Sequence, residues 1–269
     1  MNGMANTSMT ERTVSGTRAL AWAVLVAAIL EVVAPVITAT GPGSSPGEGS
    51  GPELLITPVG WAFSIWGVIY TLAIVHAVAT LVRGPAGVPR RLQIDLVVLY
   101  LGGAVWIVLA GLDSSLATAA MLLVMLVAAV DGVLTAARTP VQHDWFGVLT
   151  RVTVGLYAGW VTAAAFLNVS TALVDAGAVK ADSSGWQLAV VVAAVAFLLV
   201  VLVATRGNRA YAAAGTWAMV GIAVTGSAND DTSVVMLAVV AGVLLVGTAA
   251  ALRYAHGEQW NRSHAGLVD

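Results

Sequence analysis

Two stretches of this chain set aromatic rings with polar edges at helical spacing. In Thr57–Tyr70, TPVGWAFSIWGVIY, the residues Phe63, Trp66 and Tyr70 fall three and four apart, which stacks side chains on one helical face. In Tyr157–Asn168, YAGWVTAAAFLN, the residues Tyr157, Trp160, Ala164 and Asn168 fall at i, i+3, i+7 and i+11. The chemistry these faces offer is noncovalent. Indole and phenol rings present flat apolar surfaces with one polar edge, and Asn168 adds an amide donor and acceptor. The two faces are read as opposite walls of one pocket. The same residues would also serve as helix packing, with Asn168 bonding a neighbouring helix, and residue types alone leave both readings open.

Carboxyls add a second kind of chemistry. Glu31 lies deep in the first apolar run, with Pro35 one turn on and no partner evident in the sequence. An ionisable group in such a span is costly and points to function, a proton relay for instance, so a proton-coupled transporter of a small organic solute stands as the alternative. Asp131 has Arg138 two turns away, and Asp95 is read at a helix N-terminus, where a carboxylate suits the helix dipole. His143 and Asp144 are adjacent in a polar loop with no serine placed as nucleophile, which favours a solvated loop over a hydrolase. The chain has no cysteine, excluding disulfides, thiolate metal sites and a cysteine nucleophile. Its four histidines, His76, His143, His256 and His264, include no pair at H-x-x-x-H spacing, so no metal site is expected.

The elements that carry these residues are membrane spans. Of 269 residues, 59% are hydrophobic and 10% charged, with mean hydropathy +0.90, well outside the soluble range. The first run, ALAWAVLVAAILEVVAPVITA after Arg18, is long enough for a hydrocarbon core of roughly 30 Å. It is read as a retained helix, because Glu31 interrupts it and no A-x-A site follows. Residues 40–56 form a Gly/Pro/Ser-rich loop, and further spans are expected near 59–82, 94–112, 116–137, 152–174, 186–205, 210–227 and 232–252. The fold expected is all-α, a polytopic transmembrane bundle of about eight helices. Arginines at 12, 18, 83, 90, 91, 138, 151, 206, 209, 253 and 262 fall in alternate segments, and Lys180 falls in the others. The positive-inside rule then sets both termini in the cytoplasm. The net charge of −2 and the lack of a basic cluster give no support for nucleic acid as a partner.

The pattern Pro58-x7-Trp66-x3-Tyr70 after a long loop, together with Tyr157-x2-Trp160-x7-Asn168, resembles the TspO/MBR family of tryptophan-rich sensory and translocator proteins. The second spacing fits that family's P-Y-x-x-W…L-N signature, with Leu156 in place of the proline. Thr57 replaces one proline of the usual pair. Trp106 stands in a plausible place, and Gly103 where the family's asparagine would be sought. The likeness covers residues 19–174. It implies a tail over 1–17, a TspO-like five-helix bundle over 18–174, three additional transmembrane helices over 175–252 and a cytoplasmic tail over 253–269. It further implies a sensor or carrier in a bacterial cell membrane, embedded in the lipid bilayer, with room for a homodimer. A planar lipophilic ligand, porphyrin or tetrapyrrole-like, would bind at Trp66, Tyr70, Trp106, Tyr157, Trp160 and Asn168. No cofactor is required, and light-dependent porphyrin breakdown enters through the resemblance alone. Trp186 and Trp217, on the added helices, are expected to matter little to the pocket.

Overall fold

The computed structural model describes residues 16–40, 54–139 and 144–265. The tail before residue 16, most of the Gly/Pro/Ser-rich loop, His143 and the last four residues lie outside the described residues. Eight helices follow one another: α1 Arg18–Thr40, α2 Ile65–Arg83, α3 Arg90–Gly111, α4 Ser115–Arg138, α5 Trp145–Asp175, α6 Ser184–Ala204, α7 Arg209–Ala228 and α8 Thr232–Ala265. A 3-10 turn, Gly60–Ser64, leads into α2. The chain is an integral membrane protein: seven of its helical segments are long and apolar enough to cross a bilayer.

The eighth, α7, is absent from those seven for a physical reason. It is rich in Ala, Gly, Thr and Ser, which lowers its mean hydropathy, and it buries Ala212, Ala214, Gly215, Ala218 and Gly221 against protein while Val220 and Val224 stay exposed. Its 20 residues still span about 30 Å. It packs on α5 and α8, and its contact with α5 is close. A Cβ at Gly159 of α5 would lie 2.5 Å from the Tyr211 carbonyl and 2.9 Å from the Ala214 side chain. Small residues thus let two backbones meet, as interhelical packing in lipid favours. The lipid-facing side is the reverse, with Val36, Val82, Val127, Val200 and Val243 exposed.

Helix ends depart from the sequence reading in ways that local chemistry explains. α3 begins at Arg90, because Pro89 enters with φ −55° and Gln93 Oε1 accepts from the Thr17 N–H at 3.0 Å. Asp95 is therefore in the second turn of α3 and nearly buried, not at the helix N-terminus as expected. It shares a corner with Asp131 of α4, whose partner is Arg91 through two guanidinium hydrogen bonds rather than Arg138. α5 begins at Trp145, so the residues read as the end of a loop are its first two turns. Asp144 caps it by accepting from the Gly147 N–H at 3.0 Å and pairs with Arg83 at 2.6 Å. The Arg83 guanidinium also lies 5.3 Å and 5.4 Å from the Trp145 and Phe146 ring centroids. Asp144 thus has a structural role, while His143 beside it lies outside the described residues. α8 runs on to Ala265 through a segment expected as tail, since no proline interrupts residues 253–265.

Around the candidate site, α1 packs on α2 and α3, α4 lies between α3 and α5, and α5 touches α2, α6 and α7. Helices α1, α2, α3 and α5 bring together every residue singled out above for the pocket or the proton relay.

Candidate functional site

Trp66 is the centre. It lies in the first turn of α2, just after the 3-10 turn, which rotates Phe63 out of α-helical register with it. Its ring stacks on Tyr70 at 5.5 Å and on Trp106 of α3 at 6.0 Å. It also meets Tyr157 at 5.9 Å and Trp160 at 6.3 Å, both on α5 and both edge to face. Phe63 completes the group by meeting Trp160 edge to face at 5.7 Å. Each such pair contributes about 0.5–1.5 kcal/mol beyond its buried area. The expectation of two aromatic walls with a space between them is corrected here: the walls touch each other in this structure.

Asn168 joins through Trp106. The indole N–H of Trp106 donates to Asn168 Oδ1 at 3.2 Å, and Asn168 Nδ2 donates to the Ala164 carbonyl at 3.0 Å. Hydrogen bonding satisfies this corner. The centre is different: Trp66 Nε1 and Trp160 Nε1 are buried with no hydrogen-bond partner. Leaving such a donor unpaired costs about 1–3 kcal/mol.

Glu31 enters the same cluster from α1 and is completely buried. Its partner, absent from any reading of the sequence, is the Tyr157 hydroxyl, which donates to Glu31 Oε1 and lies 3.4 Å from the Leu99 carbonyl. The carboxyl reaches α5 across α3 at Gly103. A Cβ there would overlap Glu31 Oε1 and lie 2.9 Å from both Glu31 Cδ and the Tyr157 hydroxyl. Tyr100, one turn before Gly103, rests its ring 5.6 Å from that of Tyr157. Glu31 Oε2 and the Tyr100 hydroxyl have no partner. Sequence reasoning missed Tyr100 and the use of Gly103, though a tyrosine inside an apolar span was itself a signal of a polar neighbour.

A family model described as TSPO-like protein matches residues 19–251, most of the chain. The chain belongs to the TSPO-like family. None of the curated proteins and none of the solved structures compared with it matches. The TSPO-like match runs through α6, α7 and α8, beyond the five helices that carried the resemblance in the sequence.

In this TSPO-like chain α7 holds the entry to α2 in place. The Trp217 indole N–H donates to the Ala62 carbonyl at 2.7 Å, and its ring meets Trp61 at 5.2 Å. Thr225 Oγ1 donates to the Thr57 carbonyl at 2.7 Å, and the Val59 N–H donates to the Gly221 carbonyl at 3.2 Å. Pro58 sits so close that a Cβ on Gly221 would lie 2.8 Å from it. Trp217 is therefore a positioning residue for the turn that carries Phe63, closer to the cluster than its place on an added helix implies. Trp217→Phe keeps the ring and removes the donor. It is expected to lower stability by about 0.5–1.5 kcal/mol. Faster amide exchange confined to residues 58–64, read by mass spectrometry, would distinguish this from general loosening.

Proposed function

We propose that this protein is a membrane receptor or carrier for a planar lipophilic ligand of tetrapyrrole type, bound at the aromatic cluster of α2, α3 and α5. We further propose a bacterial cell membrane as its location, with both termini cytoplasmic, on the distribution of arginines. The observation that carries the binding reading is Trp66: four rings from three helices surround it while its own N–H is buried without a partner. A flat ligand with polar edges offers the two things that such a cluster lacks, a surface between the rings and an acceptor for their donors. Membrane ligand binding is also what membership of the TSPO-like family suggests.

Closed rings do not oppose this reading. Parting two stacked pairs costs about 1–3 kcal/mol beyond the apolar surface they give up, which the faces of a flat ligand would cover again. A micromolar ligand supplies roughly 8 kcal/mol, so opening lowers affinity without preventing binding. Titration of the purified protein with a porphyrin should quench tryptophan fluorescence saturably at one site per chain. Quenching that rises linearly with ligand would be partitioning into detergent and would remove the proposal.

Burial of Glu31 with Oε2 unpartnered favours a second reading, proton-coupled movement of a small organic solute. Glu31→Gln is expected to abolish uptake driven by a pH gradient in proteoliposomes. Undiminished uptake by this variant would end that reading.

A further inference from the structure

We infer that the groove between α7 and α8 holds an acyl chain of an amine-headed phospholipid, of the phosphatidylethanolamine type, with its ammonium group at the turn that joins the two helices. The groove is separate from the aromatic cluster and has a volume of about 710 Å³. Buried Met219, Ala238 and Gly242 form its floor, and Val224, Val239 and Val243 stand exposed along its rims. On α7 it runs from Ser227 to Thr216, about 17 Å of helix, close to the depth of one leaflet in a hydrocarbon core of roughly 30 Å. Small side chains shape it. A Cβ on Gly242 would lie only 3.7 Å from Thr216 Cγ2 and 3.9 Å from the Met219 Cβ, so α8 comes close to α7 beneath the valine rims. A chain lying there meets protein on the floor and on both rims, whereas a lipid against a single helix meets it on one side. Dispersion contacts supply the gain, because lipid tails are as apolar as the groove itself.

The mouth selects the headgroup. The turn just beyond Ser227 carries Asn229, Asp230 and Asp231, and Asp230 is exposed. Asp231 is fixed in place, since its Oδ1 accepts from the Ser233 and Val234 N–H groups at the start of α8. No cation pairs with either carboxylate: the two ion pairs among the described residues are Arg83 with Asp144 and Arg91 with Asp131. Arg209 and Arg253 stand toward the other ends of these helices, about 30 Å away. Carboxylates at headgroup level attract an ammonium and repel a head of net negative charge. A second copy of the chain suits the groove less well. Docked about a two-fold axis normal to the membrane, it would bring its own Asp230 and Asp231 to the same end, setting like charges together.

Native mass spectrometry of the purified chain, given equimolar dioleoyl phosphatidylethanolamine and dioleoyl phosphatidylglycerol in nonionic detergent, tests this directly. One phosphatidylethanolamine should be retained per chain, favoured over phosphatidylglycerol by at least about five-fold. Gly242→Leu fills the groove from its floor, and Gly247→Leu fills its lower end, where an added Cβ would meet nothing within 4 Å. Each should cut retention of both lipids by at least about five-fold, on fractions of matched circular dichroism. Asp230→Asn combined with Asp231→Asn keeps a capping side chain, and should retain a lipid while losing the headgroup preference. Val127→Leu, on the lipid face of α4, is the control and should change neither. Equal retention of the two lipids by the unmodified protein overturns the inference and needs no variant. Absence of any retained lipid, or a lipid-free dimer as the main species, overturns it too. So does a headgroup preference that survives in the double variant, or retention untouched by both leucines.

Discussion

Trp66→Ala is expected to weaken binding of a planar lipophilic ligand by about 1–3 kcal/mol, roughly five- to 150-fold in Kd. The size follows from what the ring touches. Tyr70 and Trp106 stack on it at interplanar angles of 28° and 29°, and Tyr157 and Trp160 meet it edge on, so its removal takes the shared surface away from three helices at once. Trp66→Phe should lose less, because a ring face survives while the unpaired N–H disappears. Trp160→Ala should fall between the two, since Trp160 meets Trp66 and Phe63 only edge to face. Trp186 is the proper control. Its N–H donates to the Lys180 carbonyl at 2.9 Å, in the turn before α6, and its loss should leave affinity unchanged within two-fold, a bound of order 0.4 kcal/mol. Deleting a buried aromatic also costs about 3–5 kcal/mol of stability. Affinity is therefore to be measured by porphyrin quenching on monodisperse fractions of matched helicity. An equal loss in Trp66→Ala and Trp186→Ala would mean nonspecific partitioning, and the site would have to be abandoned.

The fold and the cluster differ in how far the sequence discloses them. Spans of about 20 apolar residues are visible directly, because a bilayer demands length and hydropathy from each helix separately. The spacing of Phe63, Trp66 and Tyr70, and of Tyr157, Trp160 and Asn168, is legible for a similar reason: a helical face is a local property of the chain. Helix starts are less so. Asp144 resembles a loop residue until Arg83, 61 positions away, is seen to bind it. Arg138 is the nearer cation to Asp131 along its own helix, although the true partner, Arg91, comes from α3. The partnership of Glu31 with Tyr157 is beyond sequence reasoning altogether, since it depends on the approach of α1 to α3 at Gly103 and a separation of 126 residues. The contact of Trp217 is hidden on the same ground. Its position on an added helix says nothing of the Ala62 carbonyl 155 residues earlier.

Gly103→Ala should be strongly destabilising. At most helical glycines alanine is better by about 0.8–1 kcal/mol. Gly67 on α2, where an added Cβ would find nothing within 4 Å, should behave in that way and serves as the reference. At Gly103 the new methyl would overlap Glu31 Oε1 and crowd the Tyr157 hydroxyl at 2.9 Å. Neither can yield easily. Glu31 is fully buried and Tyr157 is held between Trp66 and Tyr100, so the carboxyl must leave its hydrogen bond or α1 must move off α3. Overpacking costs about 1–3 kcal/mol, and a buried donor and acceptor parted from each other add about 1–3 more. A loss of about 2–6 kcal/mol is expected, measured by denaturant unfolding in detergent. The cause can be separated from general crowding by a double-mutant cycle. Glu31→Ala removes the obstructing carboxyl, so adding Gly103→Ala to it should cost much less than adding it to the unmodified chain. If the two changes are additive, the carboxyl does not occupy the space that Gly103 leaves, and its bond to Tyr157 loses its structural basis.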